Sequence, residues 1–323
     1  MTPRRRPFEI GGASVPPGKR ATLEMPIARL MSGTPVALPV LVLHGKQDGP
    51  ALWLSAAVHG DEVCGVEIIR QVVAGLDPRS MVGTVIAVPV VNIHGFNTGD
   101  RYLPDRRDLN RSFPGSERGS LAARVAHLFM TEVVSRCNIG IDLHTGSDHR
   151  TNLPQIRADL DDPGTLTLAS AFAPPIAIQA RLRDGSLRQA ASESGATVLV
   201  FEGGESLRFD SATITAGADG VRRVLAHLGI AGSAEPATGE MLLSRRSTWI
   251  RASKSGLLHL EANLGDRVEQ GDQLATIFDP FGRRLARLRA RHGGLVISHT
   301  HHPLVNQGDA IAHVAELDSE DAQ

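Results

Sequence analysis

Histidine and carboxylate side chains follow apolar runs of this sequence at positions where they could bind a metal ion. His59 and Glu62 lie three residues apart, where the apolar run 52–58 gives way to a helical pattern. Both side chains can face one point across such a junction, and imidazole nitrogen and carboxylate oxygen are good zinc ligands. Because HxxE also occurs by chance in surface turns, this pair alone does not define a metal site.

A third ligand is expected from elsewhere, since catalytic zinc usually has three protein ligands and a water molecule. His144 ends the apolar run 139–143 and fits that role, so we predict one Zn²⁺ per chain on His59, Glu62 and His144. Asp142 shares a strand face with His144 and either orients a ligand or is a buried acid with a structural partner. The same ligands accept iron, cobalt or nickel.

A hydrolytic metal site also needs a base for the attacking water and a cation for the developing oxyanion. Glu202 directly follows the apolar run 197–201 and is the candidate base, with Glu205 as its rival. The segment 101–111 is rich in arginine, which binds carboxylates through two parallel hydrogen bonds. Without the metal ligands, the same segment would be interpreted as a charged loop.

The elements that would position these residues alternate between strands and helices. Apolar residues at helical spacing follow the run 52–58, near 66–73, and recur at 121–133 and 185–194. The segment 145–175 is predicted to be an irregular loop. Strands are predicted at 39–44, 52–58, 85–91, 139–144, 176–178 and 197–201. This order predicts an α/β fold with a mixed central sheet flanked by helices, and in such sheets ligands bind beyond the carboxyl ends of the strands.

The pattern changes to short β runs beyond about residue 240, and the segment 268–275 is repeated at 305–312. Two such copies predict a small barrel-like all-β module that resembles a biotinyl/lipoyl-type module but has no carrier lysine between its halves. We therefore predict a catalytic domain at 1–240 and a structural or substrate-gating module at 241–323. His299, His301 and His302 lie within this module. They are interpreted as an exposed turn, an adventitious metal site or a segment over the active site.

The charge balance and the apolar runs of the sequence indicate which kinds of binding partner to expect. The chain has 323 residues, with 34 basic and 35 acidic side chains, so charge gives no reason to expect a nucleic acid or a membrane as partner. No apolar run is long enough to span a bilayer, and the basic N-terminus lacks the apolar stretch of a secretory signal. We expect a cytoplasmic protein that acts on a small-molecule substrate, either as a monomer or as a homo-oligomer.

Several motifs together resemble the succinylglutamate desuccinylase/aspartoacylase family, a branch of the zinc carboxypeptidase superfamily. They are HGDE at 59–62, Arg101, DLNRSFPG at 108–115, DLHT at 142–145 and Phe201-Glu202, in order within residues 35–230. The resemblance implies zinc on His59, Glu62 and His144, with Glu202 as general base and later proton donor. It also implies that Arg101 polarises the scissile carbonyl and that Asn110 and Arg111 hold a substrate carboxylate.

The family resemblance further implies a zinc-dependent amidohydrolase that deacylates an N-acyl amino acid or a similar small carboxylate-bearing amide through water activated by the metal. A zinc carboxypeptidase acting on short peptides is the nearest alternative. A non-catalytic metabolite-binding protein on the same fold is an alternative of another class, and a metal-dependent ester or amide hydrolase with a non-acidic substrate is a third.

Overall fold

A computed structural model describes residues 5–237 and 239–318, so the outer ends of the two predicted domains, 1–4 and 319–323, lie outside the described residues. None of the described helices has both the length and the apolarity to cross a bilayer. The α-helices are α1 Cys64–Ala74, α2 Ile93–Thr98, α3 Leu121–Glu132, α4 Pro163–Phe172, α5 Leu187–Glu193 and α6 Ser211–His227.

The strands fall into a longer N-terminal series and a shorter C-terminal series. The first comprises β1 Phe8–Ile10, β2 Ala13–Val15, β3 Lys19–Arg29, β4 Pro35–His44, β5 Gln47–Ala56, β6 Val82–Val88, β7 Ile139–Gly146, β8 Arg150–Ala158, β9 Ile176–Gln179 and β10 Thr197–Glu205. The second comprises β11 Leu242–Ser244, β12 Arg246–Arg251, β13 Gly256–Leu260, β14 Arg267–Val268, β15 Gln273–Phe278, β16 Arg284–Arg289, β17 Gly294–Thr300, β18 Leu304–Val305 and β19 Ala310–Glu316.

A large mixed sheet forms the centre of the described chain, as the alternating pattern predicted. Its main order is β12-β19-β17-β8-β10-β7-β5-β6-β4-β3, and the four central strands β10, β7, β5 and β6 are parallel to one another. Since these central strands are covered on both faces, their sequences are almost continuously apolar, and Leu52 to Ala56 is buried throughout. The predicted α/β class with a flanked mixed sheet is confirmed.

Helices cover the sheet on both faces. On one face α1, α4 and α6 pack in a single apolar cluster, and on the other α3 and α5 pack in a second. Helix α6 approaches its neighbours closely because it has no side chain at Gly220, where a Cβ atom would lie 2.2 Å from the ring of Phe172. The two helical layers hold the central strands in place from both sides. The candidate site residues lie at the carboxyl ends of these strands.

The prediction of an irregular loop at 145–175 is wrong. The segment contains β8 and α4, and β8 lies between β10 and β17 in the sheet. Apolar periodicity misses β8 because several of its polar side chains face a cavity rather than a core. A local signal for α4 was present, since Asp162 caps the helix through the Thr165 amide and Pro163 occupies its first turn.

The two copies of the C-terminal sequence repeat pair with each other in a reciprocal way. β14 of the first copy pairs with β17 of the second, and β18 of the second pairs with β13 of the first. The aspartates at the two turns act alike, because Asp272 accepts from the Glu269 amide and Asp309 accepts from the Asn306 amide.

The C-terminal strands also extend the central sheet. β11 pairs with β9 and β17 pairs with β8, and an apolar cluster with Ile176 and Ile297 joins the two parts. A boundary at residue 240 therefore divides one continuous sheet, and the independence of the two domains stays a prediction.

Candidate metal and catalytic site

The carboxyl ends of three neighbouring parallel strands bring the predicted site residues together. His59 and Glu62 follow β5, His144 lies near the end of β7, and Glu202 lies beside His144 in the register of β10. Ligand atoms of His59, Glu62 and His144 all lie within 4.8 Å of one another, and all three residues are buried. The sequence named this group correctly as a cluster that can hold a metal ion.

The chain leaves β5 through an unusual backbone path that places His59. Ala57 has a φ of 46°, in the left-handed region that a residue with a side chain seldom adopts. At Gly60 a Cβ atom would lie 2.0 Å from the backbone carbon of Gly95, so only glycine allows α2 to approach this closely. Such local strain is typical of functional sites, where the surrounding structure maintains it.

Glu62 lies between the two histidines. Its two carboxylate oxygens lie 2.8 Å from His59 Nδ1 and 2.7 Å from His144 Nδ1. The other nitrogen of each ring faces an aspartate, at 3.2 Å for Asp108 and 2.7 Å for Asp142. Metal-binding histidines commonly use one nitrogen for the metal and the other for such a carboxylate. The geometry therefore makes Asp142 a residue that orients His144.

The acidic and basic groups of this cluster stabilise one another's charged forms. Burial alone would lower the pKa of His144, but the carboxylates of Asp142 and Glu62 outweigh burial and hold it well above its usual value. Burial would raise the pKa of Glu62, yet His59 and His144 outweigh it and hold that pKa well below its usual range. Glu62 is therefore ionised at neutral pH, as a carboxylate ligand for a divalent cation must be.

Glu202 and Glu205 occupy different surroundings. Glu202 lines the cavity that contains the three clustered residues, and its Oε2 accepts a hydrogen bond from Asn152 Nδ2 at 2.9 Å. Glu205 is not among the residues lining that cavity, and it forms ion pairs with Arg208 at 2.9 Å and His301 at 3.1 Å. Of the two acids that the sequence left open, Glu202 is the one beside the cluster.

The arginine-rich segment contributes to the same cavity. Arg101 Nη1 lies 3.1 Å from Glu62 Oε1, and its Nη2 lies 3.3 Å from Asp108. Asn110 and Arg111 also line the cavity, and Asn110 Oδ1 accepts the Leu187 amide at 2.9 Å. This bond directs the Asn110 amide group so that its NH₂ stays available as a donor.

The cavity measures about 740 Å³, and its lining includes residues that sequence reasoning missed. Asn152 of β8 is one, and Trp249, Ser298 and His313 come from the C-terminal strands. Trp249 and His313 stack with ring centroids 4.3 Å apart. Their strands read as ordinary β segments, so no local pattern marks them as parts of a site.

The second histidine cluster contacts the hairpin between β7 and β8. The His301 amide donates to the His149 carbonyl at 2.7 Å, and the rings of His149 and His302 lie 4.8 Å apart. His149 has a φ of 62° and Asp148 a φ of 54°, so the hairpin turn is strained. The segment 299–302 therefore stabilises the turn at Asp148 and His149, and the residues on either side of this turn, Ser147 and Arg150, line the cavity.

The fold and the site together define an α/β protein with a buried cluster of two histidines and one glutamate at the strand ends. Residues 48–228 match the succinylglutamate desuccinylase/aspartoacylase catalytic domain. The N-alpha-acetyl-L-2,4-diaminobutyric acid deacetylase of Halomonas elongata is 30% identical over 298 residues, which cover 87% of this chain and 86% of that protein.

Two solved structures are similar over nearly their whole length. The product-bound ectoine utilization protein EutE (DoeB) from Ruegeria pomeroyi has a TM-score of 0.84 and 27% identity, with 94% of this chain and 97% of that chain covered. A succinylglutamate desuccinylase/aspartoacylase from Rhodobacter sphaeroides has a TM-score of 0.83 and 28% identity, with 93% and 96% covered. The chain belongs to the succinylglutamate desuccinylase/aspartoacylase family, a family of deacylating hydrolases.

Proposed function

We propose that this protein is a zinc-dependent deacylase that cleaves the amide bond of an N-acyl amino acid or a similar small carboxylate-bearing amide. The observation that carries the proposal is the buried His59, Glu62 and His144 cluster, which shares its cavity with Glu202. The relatives support the reaction class, since one is named for deacetylating acetyl-diaminobutyric acid and others for desuccinylating succinylglutamate.

The donor set fits zinc. Two imidazoles and one carboxylate form a common catalytic zinc set, which leaves a coordination position free for water or substrate. Bound there, zinc would supply a Lewis acid that polarises a carbonyl and lowers the pKa of a water molecule. Asp142 and Asp108 hold the outward-facing ring nitrogens, so His144 and His59 would present their Nδ1 atoms to the ion.

Glu202 is the proposed general base. Its neighbour in the strand register is His144, and adjacent strands are about 4.8 Å apart, so the carboxylate lies beside the proposed ligands. Asn152 holds one of its oxygens, and the Nε of Arg157 lies 4.0 Å from the other. Glu202 would take a proton from the attacking water and later return it to the leaving amine.

Cations and donors of the 101–111 segment complete the site. The Arg101 guanidinium lies beside the cluster and would stabilise negative charge that develops on the scissile carbonyl oxygen. Arg111 is exposed at the cavity, and its guanidinium contacts the Asn110 carbonyl. Together with the Asn110 amide it offers several N–H donors, which suits a substrate carboxylate.

Elemental analysis of the purified protein and of a His144→Ala variant tests the metal, with hydrolysis of an N-acyl amino acid panel measured on the same samples. We expect about one zinc per chain in the wild type. In the variant, both zinc and hydrolysis should be lost. A His227→Ala variant is the matched control, since His227 is exposed at the end of α6.

The alternatives give different results in the same assays. Turnover of short peptides in preference to N-acyl amino acids would favour a carboxypeptidase. Hydrolysis that survives in an Arg111→Ala variant would favour a substrate without a carboxylate. A folded wild-type protein that takes up no zinc and hydrolyses no amide would contradict the proposal and leave a metabolite-binding protein.

A further inference from the structure

A hairpin of the C-terminal strands presents an aromatic side chain that the protein leaves almost uncovered. Phe281 lies in the turn between β15 and β16 and is 96% exposed, and among the described large apolar residues only Met31 is more exposed. A single apolar residue on a protein surface is ordinary by itself. The surroundings of Phe281 therefore decide whether its exposure has a function.

The turn that carries Phe281 is held in one conformation by Asp279. Its Oδ1 accepts the amides of Phe281 at 3.0 Å and of Arg283 at 2.9 Å, and its carbonyl accepts the Gly282 amide at 3.1 Å. Gly282 has a φ of 84°, which glycine adopts without strain. Because the backbone is already ordered, little conformational entropy is lost when the Phe281 ring binds a partner.

Arginines follow Phe281 along β16. The segment 279–291 contains five arginines and one acidic residue, Asp279, although the charges of the whole chain are balanced. All of these arginines are exposed, namely Arg283, Arg284, Arg287, Arg289 and Arg291. Asp279 lies 3.3 Å from Arg283, and within the described part of the chain no carboxylate lies within 4.0 Å of the other four guanidinium groups. The hairpin is therefore a local centre of positive charge.

Protection of a sheet edge explains only part of this arrangement. β16 is the edge strand of the sheet β16-β15-β13-β18, and charged side chains on an edge commonly prevent unwanted strand pairing. Leu288 packs in the apolar cluster of these strands, so its neighbours Arg287 and Arg289 face the opposite side. An exposed phenyl ring at the tip has the contrary effect, since exposed apolar surface favours association. Phe281 therefore indicates a binding surface.

The small size of the tip argues against a protein or a nucleic acid as partner. A stable protein interface takes about 800 Å² from each side around several apolar residues, whereas this turn offers Phe281 alone. Single-stranded nucleic acids stack on several aromatic rings. The other aromatic residue of the hairpin, Phe278, is partly buried and packs edge-on against His259, with ring centroids 4.9 Å apart. A lipid bilayer accepts one aromatic ring among its headgroups, and anionic lipids attract arginines.

We propose that this hairpin tip, defined by Phe281, Arg284 and Arg287 and here named the aromatic tip, binds the surface of an anionic phospholipid bilayer. The Phe281 ring would enter the headgroup region while the two guanidinium groups contact lipid phosphates. Such binding is peripheral and reversible, because one ring and a few arginines bury little apolar surface. The inference does not depend on the proposed function, since none of these residues lines the cavity of the candidate site.

Co-sedimentation of the purified protein with vesicles tests the aromatic tip. Vesicles of phosphatidylcholine alone are compared with vesicles of phosphatidylcholine and phosphatidylglycerol in equal parts. We expect binding to the mixed vesicles only, and weaker binding at high salt because salt screens the charges. Phe281→Ser should weaken binding about tenfold, since the ring no longer leaves water. Arg284→Gln and Arg287→Gln should each weaken it roughly fivefold.

The chain offers matched controls for both kinds of substitution. Phe209 is 68% exposed between β10 and α6, so Phe209→Ser removes a similar ring from another part of the surface. Arg118→Gln likewise removes an exposed arginine outside the hairpin. Both controls should bind the mixed vesicles as the wild type does. The melting temperature and amide hydrolysis of the Phe281→Ser variant should equal those of the wild type, which separates a binding role from a structural one.

Several outcomes would overturn the proposal. They are equal binding to the two kinds of vesicle, no binding to either at low salt, and wild-type binding by Phe281→Ser. A labelled single-stranded oligonucleotide and sedimentation velocity complete the test. Binding of the oligonucleotide through Phe281 without vesicle binding would assign the tip to a nucleic acid. Self-association that Phe281→Ser abolishes, again without vesicle binding, would assign it to a second copy of the chain.

Discussion

Replacement of Asp142 by asparagine tests whether the residues behind the cluster orient its ligands. Asp142 is buried, its Oδ2 lies 2.7 Å from His144 Nε2, and its Oδ1 accepts the Ser55 hydroxyl at 2.7 Å. Asparagine has nearly the same shape, so the substitution leaves no cavity. It removes the negative charge and replaces one acceptor oxygen by an NH₂ donor, which must face either Ser55 or His144.

The expected effect is a weaker zinc site in a folded protein. Loss of a carboxylate that holds a metal-binding histidine typically weakens metal affinity about 10- to 100-fold, which corresponds to roughly 1.4–2.7 kcal/mol. Both hydrogen bonds of Asp142 are short and buried, so water cannot replace the lost acceptor, and we expect the upper half of that range. Ser55→Ala removes only the outer hydrogen bond and should have a smaller effect.

The assay is a zinc competition titration against a chelator of known affinity, with circular dichroism on the same samples to establish that each variant is folded. Asp77→Asn serves as the control, because the Asp77 side chain is on the surface, far from the cluster in the sequence, and pairs with Arg79 at 2.9 Å. An Asp142→Asn protein that binds zinc as tightly as the wild type would refute the role of Asp142 in orienting His144.

Three further predictions concern catalysis, thiol reactivity and packing. Glu202→Gln should lower kcat by about 10²- to 10⁴-fold with zinc content retained, whereas Glu205→Gln should change steady-state rates little; equal losses in both would contradict the assignment. Burial raises the pKa of the Cys137 thiol to about 12, so only about one thiol in ten thousand is ionised at pH 8. Labelling with a disulfide reagent should be slow until the protein is unfolded, and fast labelling of the native protein would argue against that burial. Gly220→Ala forces a methyl group against Phe172 and should lower the unfolding free energy by about 1–3 kcal/mol in urea titrations, while an unchanged midpoint would show that the ring moves aside at little cost.

The sequence predicted the central sheet and the clustered residues because both have strong local signals. Strands covered on both faces, such as 139–143, are mostly apolar, so the polar residues that follow the apolar run indicate where the carboxyl end of the strand begins. Parallel neighbours place such ends at one edge of the sheet. The sequence alone therefore predicts that His59, Glu62, His144 and Glu202 lie close together. It also left Glu205 open, since two acids three residues apart look alike in sequence.

The sequence did not predict β8 or the way the C-terminal strands join the sheet. Polar residues such as Asn152 and Arg157 interrupt the apolar alternation of β8 because they face a cavity. Pairing of β17 with β8 joins residues about 150 positions apart, and no local pattern encodes the register of such a pair.

Apolar periodicity and motifs within short segments were therefore enough to predict the fold class, most of the central strands and the three residues of the candidate metal site. The folded chain was needed to show that Glu202 rather than Glu205 lies beside these residues, and that Ser298 and His313 line the same cavity. The physical reason is that these contacts depend on the register between distant strands, which the packing of the whole sheet fixes.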